Sequence, residues 1–331
     1  MRNSNRSEHR VALITGAGGG MGAACSRSLG RRYRLVLTEF HSQSLAAVVS
    51  GLRHDGVEVI GQVVGDISAA ETIPALMAIV EKHGGLDALV HTAGISPKMG
   101  SWEVLLNVNL GATLHLLDAV EARLLPGSAA VLIASLAGQM FHGTPAIDAM
   151  LRGLEGSNLT ERLAPLVRER ASSPDPLSLS VAAYGVSKYA VSRLCEERAQ
   201  AWGKRGARLV SISPGLISTS MGLLEANGNP AAAGLAEQAP VGRWGTPLDI
   251  ADGRIHAVGR CKLHQRMRPA RRRRAGGEVE NRPRRGAGRP GGFSFVTVNR
   301  FPFRADSQDL IACTSRYTST GPNAAVTPVA R

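Results

Sequence analysis

The chain has 331 residues, 44% of them hydrophobic and 4% aromatic, and its four cysteines (Cys25, Cys195, Cys261 and Cys313) are widely spaced. There is material for a buried core, no apolar run reaches 18 residues and the first ten residues are polar; a membrane span, a signal peptide, a disulfide framework and a metal centre are not expected, and a cytoplasmic protein is. The net charge of +13 resides in residues 253–331, with 17 Lys+Arg against 4 Asp+Glu, whereas residues 1–252 hold 22 of each; the body carries no nucleic-acid signature.

Val11 to Gly22 reads V-A-L-I-T-G-A-G-G-G-M-G, and helical spacing follows. That pattern predicts strand, tight turn and helix. Glycines permit positive φ and leave no Cβ between backbone and ligand, so the turn is a candidate pyrophosphate site on the N–H groups of the next helix; a glycine-rich turn without a ligand is the plain alternative. Tyr33–Thr38 predicts a second strand ending at Glu39, 23 residues beyond Gly16. An acidic residue there accepts hydrogen bonds from the adenosine ribose and repels a 2′-phosphate, so Glu39 selects NAD over NADP; a solvated strand-end Glu is its alternative. A helix over 44–54, a strand over 57–64 closed by Gly65-Asp66, a helix over 70–83 and a strand over 86–91 follow. The alternation predicts a Rossmann-like, doubly wound parallel α/β sheet in a single domain. His91-Thr92-Ala93-Gly94 ends the fourth strand at the ligand-binding edge. A helix over 102–117 contains Asn109, and a fifth strand over 129–134 ends at Ser135.

Taken together and in order, Thr15-Gly16-x-x-x-Gly20-Met21-Gly22, Asp66-Ile67, Ala93-Gly94, Asn109, Ser135-x-Ala-Gly, Tyr184-x-x-x-Lys188 and Pro214-Gly215-x-Ile217-x-Thr219 resemble the short-chain dehydrogenase/reductase family over about residues 10 to 252. The side chains support the chemistry independently. A phenol with an ordinary pKa near 10 is too weak a base near neutral pH unless a cation stabilises its phenolate, and Lys188 lies one helical turn from Tyr184. The resemblance implies Tyr184 as acid/base, Lys188 as its electrostatic partner and donor to the nicotinamide ribose, Ser135 as the donor to the substrate oxygen, and Asn109 as holder of a water behind Lys188. It also implies that Thr15, Gly16, Gly20, Met21, Gly22, Glu39, Asp66, Ile67, Ala93, Gly94, Tyr184, Lys188, Pro214, Gly215, Ile217 and Thr219 bind the cofactor. Read singly, Tyr184 is also a half-buried core residue, Ser135 a capping serine and Asn109 a helix-interior residue.

Two departures stand inside the body. Thr92 replaces the family's usual Asn, and an insert over 140–181 separates Ser135 from Tyr184. The insert carries a capping box, Asn158 to Glu161, and an apolar set interrupted by Pro165, which predicts one or two short helices beside the site. It resembles the branch containing 3α-hydroxysteroid dehydrogenase/carbonyl reductase, where the insert lies on an oligomer-forming face; a substrate lid is the other reading. A strand over 207–212, a substrate-binding segment over 221–238 and the approach to a last helix over 240–251 complete the body.

Beyond Asp252 the family shows a helix and a final strand ending in V-D-G-G, absent here. Synonymous codons for Lys262–Arg274, read one base later, encode S-F-I-N-G-C-D-L-L-V-D-G. Residues 253–331 are therefore expected to be a disordered, basic tail translated out of frame, leaving a sheet edge uncovered that Phe293–Val298 has the pattern to pair with. The expected function is hydride transfer between NAD and a secondary alcohol or ketone, such as a hydroxysteroid or other bulky apolar alcohol. Alternatives are a 3-oxoacyl thioester reductase, an NAD-binding protein without turnover, and an impaired product whose tail binds nucleic acid. The expected partners are the small-molecule substrate and, were the C-terminus intact, further copies of the chain.

Overall fold

Short apolar strands alternate with amphipathic helices throughout the body, and each parallel strand pair is joined by a helical crossover. The computed structural model describes residues 10–154, 158–227, 243–255 and 296–299. In chain order these form β1 (Val11–Thr15), α1 (Gly20–Gly30), β2 (Arg34–Glu39), α2 (Ser42–His54), β3 (Val59–Val64), α3 (Thr72–Lys82) and β4 (Leu86–His91). Then come α4 (Trp102–Leu106), a π-helical turn (Asn107–Gly111), α5 (Ala112–Glu121), β5 (Leu124–Ile133), α6 (Leu136–Gln139), α7 (Pro145–Leu151) and α8 (Leu159–Arg170). The remainder is α9 (Pro176–Lys204), β6 (Arg208–Pro214), α10 (Ser220–Ala226), α11 (Pro247–Ile255) and β7 (Val296–Asn299).

The sheet order is β3-β2-β1-β4-β5-β6-β7. The first six strands are parallel, with Leu13 opposite both Val36 and Leu89 and Val131 opposite Val210. Strand order reverses between β1 and β4, which opens a crevice at their carboxyl ends. Alternate side chains point to opposite faces, so Val11 and Leu13 join one buried cluster with Leu76, Leu117 and Val191, while Ala12 and Ile14 join another with Leu29, Leu45 and Leu52. With both faces covered, all five residues of β1 are buried, which is why its sequence is apolar without alternation.

Two local expectations change. The helix expected over 102–117 is interrupted by the π turn that contains Asn109, a distortion often found at functional positions. The insert forms two helices, α7 and α8, packed on α9 and on the α4 side; Leu159, Leu163, Leu166 and Val167 are buried in the main core. The expected capping box does not form, because Asn158 makes no side-chain cap bond, and Pro165 is accommodated inside α8. At the far edge, β7 pairs antiparallel with β6, Val298 opposite Ile212, in the stretch whose pattern suited that edge. The rest of the expected disordered tail (residues 256–295 and 300–331) and most of the 221–238 segment lie outside the described residues. Among the described residues no helix is long and apolar enough to cross a membrane, and no group of three or more His, Cys, Asp or Glu is placed to hold a metal. Cys25 and Cys195 are buried and are not joined in a disulfide.

Candidate active site

The chain leaves β1 through Gly16, whose φ of +66° belongs to the left-handed region, and a Cβ there would stand 2.7 Å from the Ala93 nitrogen. Only glycine lets the turn lie this close to the end of β4. Thr15, fully buried, locks the approach: its hydroxyl accepts from the Ala93 N–H (3.3 Å) and its carbonyl accepts from the Thr92 hydroxyl (2.7 Å). Thr92 thus uses its hydroxyl to tie β4 to β1. Gly20 and Met21 begin α1, and Gly22 packs in its first turn on the Gly16 carbonyl. The α1 N-cap, Gly19, supplies no side-chain acceptor, so the helix's leading N–H groups are available to an anion. Glu39 ends β2, and its carboxylate accepts from Gly18 N (3.0 Å) and Phe40 N (2.9 Å), which sets a fixed negative charge beside the turn. Asp66 accepts from the Ser68 N–H and hydroxyl (2.8 and 2.7 Å), a local turn, while Ile67 is buried in the core.

Ser135 closes β5 and caps α6, accepting from Ala137 N (3.2 Å); the capping reading and the site reading describe the same hydroxyl. Gly138 decides where that hydroxyl goes. A Cβ at Gly138 would lie 2.6 Å from the Lys188 carbonyl carbon, so the Ser135 turn rests directly on the α9 backbone. The Ser135 hydroxyl is there a hydrogen-bond partner of the Tyr184 phenol. Lys188, buried, donates to the Ile133 carbonyl (3.0 Å), and its Nζ stands 5.8 Å from the Tyr184 ring centroid. Asn109 exchanges two bonds with Ile95: it accepts from the backbone N–H (2.8 Å) and donates to the carbonyl (2.9 Å). Asn109 Oδ1 and Lys188 Nζ both flank Gly94, at 3.0 and 3.4 Å from where its Cβ would be. Pro214 ends β6, Gly215 has open space where a side chain would be, and Ile217 pairs with Gly245 in a bridge. Thr219 caps α10 with its methyl against Gly20.

The electrostatics differ in one respect from expectation. Burial raises the Tyr184 phenol above its ordinary value; the Ser135 hydroxyl opposes that rise and the Glu225 carboxylate adds to it. Desolvation is the largest cause, and the Lys188 ammonium donates to the Ile133 carbonyl. Burial also pulls Lys188 down to about 8. A site built of desolvated groups is the usual setting for acid–base work.

Sequence reasoning placed His91 at the end of the fourth strand and gave it no role of its own. It is buried between the Thr15 and Thr113 hydroxyls, at 2.7 and 2.8 Å. Gln139, which donates to Ser213 (2.9 Å), and Glu225 on α10 were passed over. A cavity between α7 and α9, lined by Asp148, Leu151, Arg193 and Glu196 among others, shares no residue with this set.

A model of the family described as short chain dehydrogenase matches residues 10–146, and one described as enoyl-(acyl carrier protein) reductase matches 177–255. The curated short-chain dehydrogenase/reductase bsc3 of Alternaria brassicicola is 30% identical over 243 residues, 72% of this chain and 85% of the relative. The chain is a short-chain dehydrogenase/reductase. As a member of this oxidoreductase family, it has the fold that binds a nicotinamide cofactor. A second relative of the dehydrogenase/reductase, the D-threitol dehydrogenase of Mycolicibacterium smegmatis, is 27% identical over 74% of this chain and 84% of its own length. The 3-alpha-hydroxysteroid dehydrogenase from Pseudomonas sp. B-0831, solved with NADH, superposes with a TM-score of 0.58 at 25% identity, over 76% of this chain and 90% of that one.

Proposed function

We propose that this dehydrogenase/reductase transfers hydride between NAD and a secondary alcohol or ketone on a bulky, largely apolar skeleton of the hydroxysteroid or aryl-alcohol kind. The supporting observation is the meeting of Ser135, Tyr184 and Lys188 where the ends of β4, β5 and β6 converge beside the glycine turn. The cradle suits the cofactor: open space at Gly215, uncapped N–H groups at α1, and a carboxylate at Glu39 where a ribose hydroxyl can donate and a 2′-phosphate is repelled. NAD held in this cradle would supply the hydride acceptor for oxidation of the carbinol carbon, and NADH the hydride donor for reduction. Tyr184 accepts the hydroxyl proton in oxidation and restores it in reduction. Ser135 donates to the substrate oxygen as charge develops. Lys188, charged below about pH 8, favours the phenolate and donates to the nicotinamide ribose; Asn109 steadies the backbone at Ile95 and holds a water behind Lys188. Exposed apolar side chains follow the ends of β4, β5 and β6 (Met99, Leu136, Met140, Leu223 and Leu224), in keeping with an apolar substrate.

The test is an alcohol and ketone panel run with NAD and NADP side by side, reading NADH absorbance on the native chain and on Tyr184→Phe. Turnover that survives this substitution overturns the mechanism. A 3-oxoacyl thioester is the second reading, favoured by the likeness to the monensin polyketide synthase putative ketoacyl reductase of Streptomyces virginiae, 26% identical over 74% of this chain and 88% of its own length; preferential turnover of such thioesters would replace the alcohol. We further read residues 253–331 as out-of-frame translation, which leaves the product impaired relative to a frame-corrected chain.

A further inference from the structure

α10 is fixed at both ends. Thr219 caps its start against Gly20 of the cofactor turn, and the Lys98 ammonium donates to the Leu224 and Asn227 carbonyls (3.0 and 2.8 Å) at its close. The last turn of α10 is thereby held to the segment that leaves β4, across the mouth of the crevice. Glu225 sits in that turn. Its Oε1 is shielded from water and has no hydrogen-bond partner. The other unpartnered buried oxygens among the described residues are hydroxyls (Tyr33, Thr38, Ser96, Ser128 and Ser211), so this is the one carboxylate oxygen in that condition. A hydroxyl relieves itself by rotation, whereas a carboxylate oxygen can only accept, and a buried acceptor without a donor is costly. The Lys98 ammonium at the same end of the helix bonds the Leu224 and Asn227 carbonyls and not this oxygen. The carboxylate also bears on the Tyr184 phenol electrostatically, raising it.

Building on the function proposed above, we infer that Glu225 is a specificity-determining residue whose carboxylate receives a second donor of the substrate, so that the preferred alcohol carries a further hydroxyl or an ammonium group beside its carbinol. A diol or amino alcohol on an apolar ring would satisfy the Tyr184–Ser135 pair at one oxygen and Glu225 at the other donor. A monoalcohol would leave the buried oxygen unpaired, and sites built to bond a donor discriminate strongly against analogues that lack one.

The probes are cyclohexanol, 1,2-cyclohexanediol and 2-aminocyclohexanol, tested with NAD on the full chain, Glu225→Gln and Glu225→Ala. The ratio of kcat/KM for diol or amino alcohol over cyclohexanol is expected to exceed about tenfold in the native chain and to fall by about tenfold or more in both variants. In parallel, thermal protection by each probe in the presence of NAD reads binding without turnover. The native chain should be protected more by the donor-bearing probes than by cyclohexanol, and Glu225→Gln should lose the difference. A native ratio near unity, or an equal ratio and equal protection in native chain and variants, overturns the assignment of Glu225. Selective protection without turnover of any probe keeps Glu225 as the reader and overturns the catalytic reading instead; no protection by any probe overturns both.

Discussion

Burial moves the two principal titrations of the site in opposite directions. Tyr184 is raised and Lys188 is lowered to about 8, so the phenol gains from high pH while its cation is lost there. The kcat/KM for NAD, which reports the free enzyme, is expected to fall as pH rises through about 8. Stability should move the other way. A lysine whose folded value lies below its free value of 10.5 binds more protons unfolded, so its burial cost shrinks between pH 8 and 10.5; a pH series of activity and of melting temperature on the same samples separates the two. Tyr184→Phe keeps the ring and removes the proton, and should lower kcat by about 10²–10⁴ while NAD still protects against unfolding. Glu39→Ala removes the carboxylate held at Gly18, and the ratio of NAD to NADP turnover is expected to fall. If NADP remains as poor a cofactor as before, selectivity does not reside in that charge.

At the scale of elements, the end of β4 is joined to β1 and to the π turn by one buried ring. Thr113 donates to the Asn109 carbonyl (2.8 Å), so its oxygen accepts from His91 Nε2–H, and Nδ1 is left to accept from the Thr15 hydroxyl, an assignment made by the network. Burial, with the Lys188 charge, lowers His91 to about 3. Its folded value lies below the free value of 6.5, so the unfolded chain binds more protons between pH 6.5 and 3. Stability present above 6.5 is lost as pH falls, by up to about 1.4 kcal/mol per unit. Melting curves from pH 7 to 4 should show that slope in the native chain and a shallower one in His91→Asn. The insert belongs to the same scale. Leu163 of α8 is fully buried in the main core, so Leu163→Ala should cost about 2–5 kcal/mol in chemical denaturation. A loss below 1 kcal/mol would mean that α8 opens as a lid rather than serving as core.

For the whole molecule, the alternation of elements and the parallel, doubly wound sheet were legible because short apolar strand patterns are each followed by a helical pattern, whereas the order β3-β2-β1-β4-β5-β6 came from the structure. The candidate set was legible as types and spacings. What brought Ser135 to Tyr184 across the insert was not, because Gly138 meets the Lys188 backbone only once α6 packs on α9. The proposed frame slip also belongs here. Gene sequencing across codon 252, set against close relatives, should locate a single-base insertion or deletion that restores the V-D-G-G ending. The frame-corrected chain is expected to melt higher and to form a defined oligomer in light scattering, since its last strand would cover the β6 edge that β7 borders here. Equal melting temperature and assembly state in both forms would sink that expectation.

Hydrophobic period, glycine placement and the order of polar types determined the fold class and the family of chemistry by themselves, because those signals are local and repeat along the chain. Tertiary packing alone decided that Asn109 lies in a π turn, that Lys188 turns to Ile133, that His91 bridges two threonines and that Glu225 keeps an oxygen without a donor. Each of these depends on which distant groups share a dry space, and desolvation acts only where that space has closed.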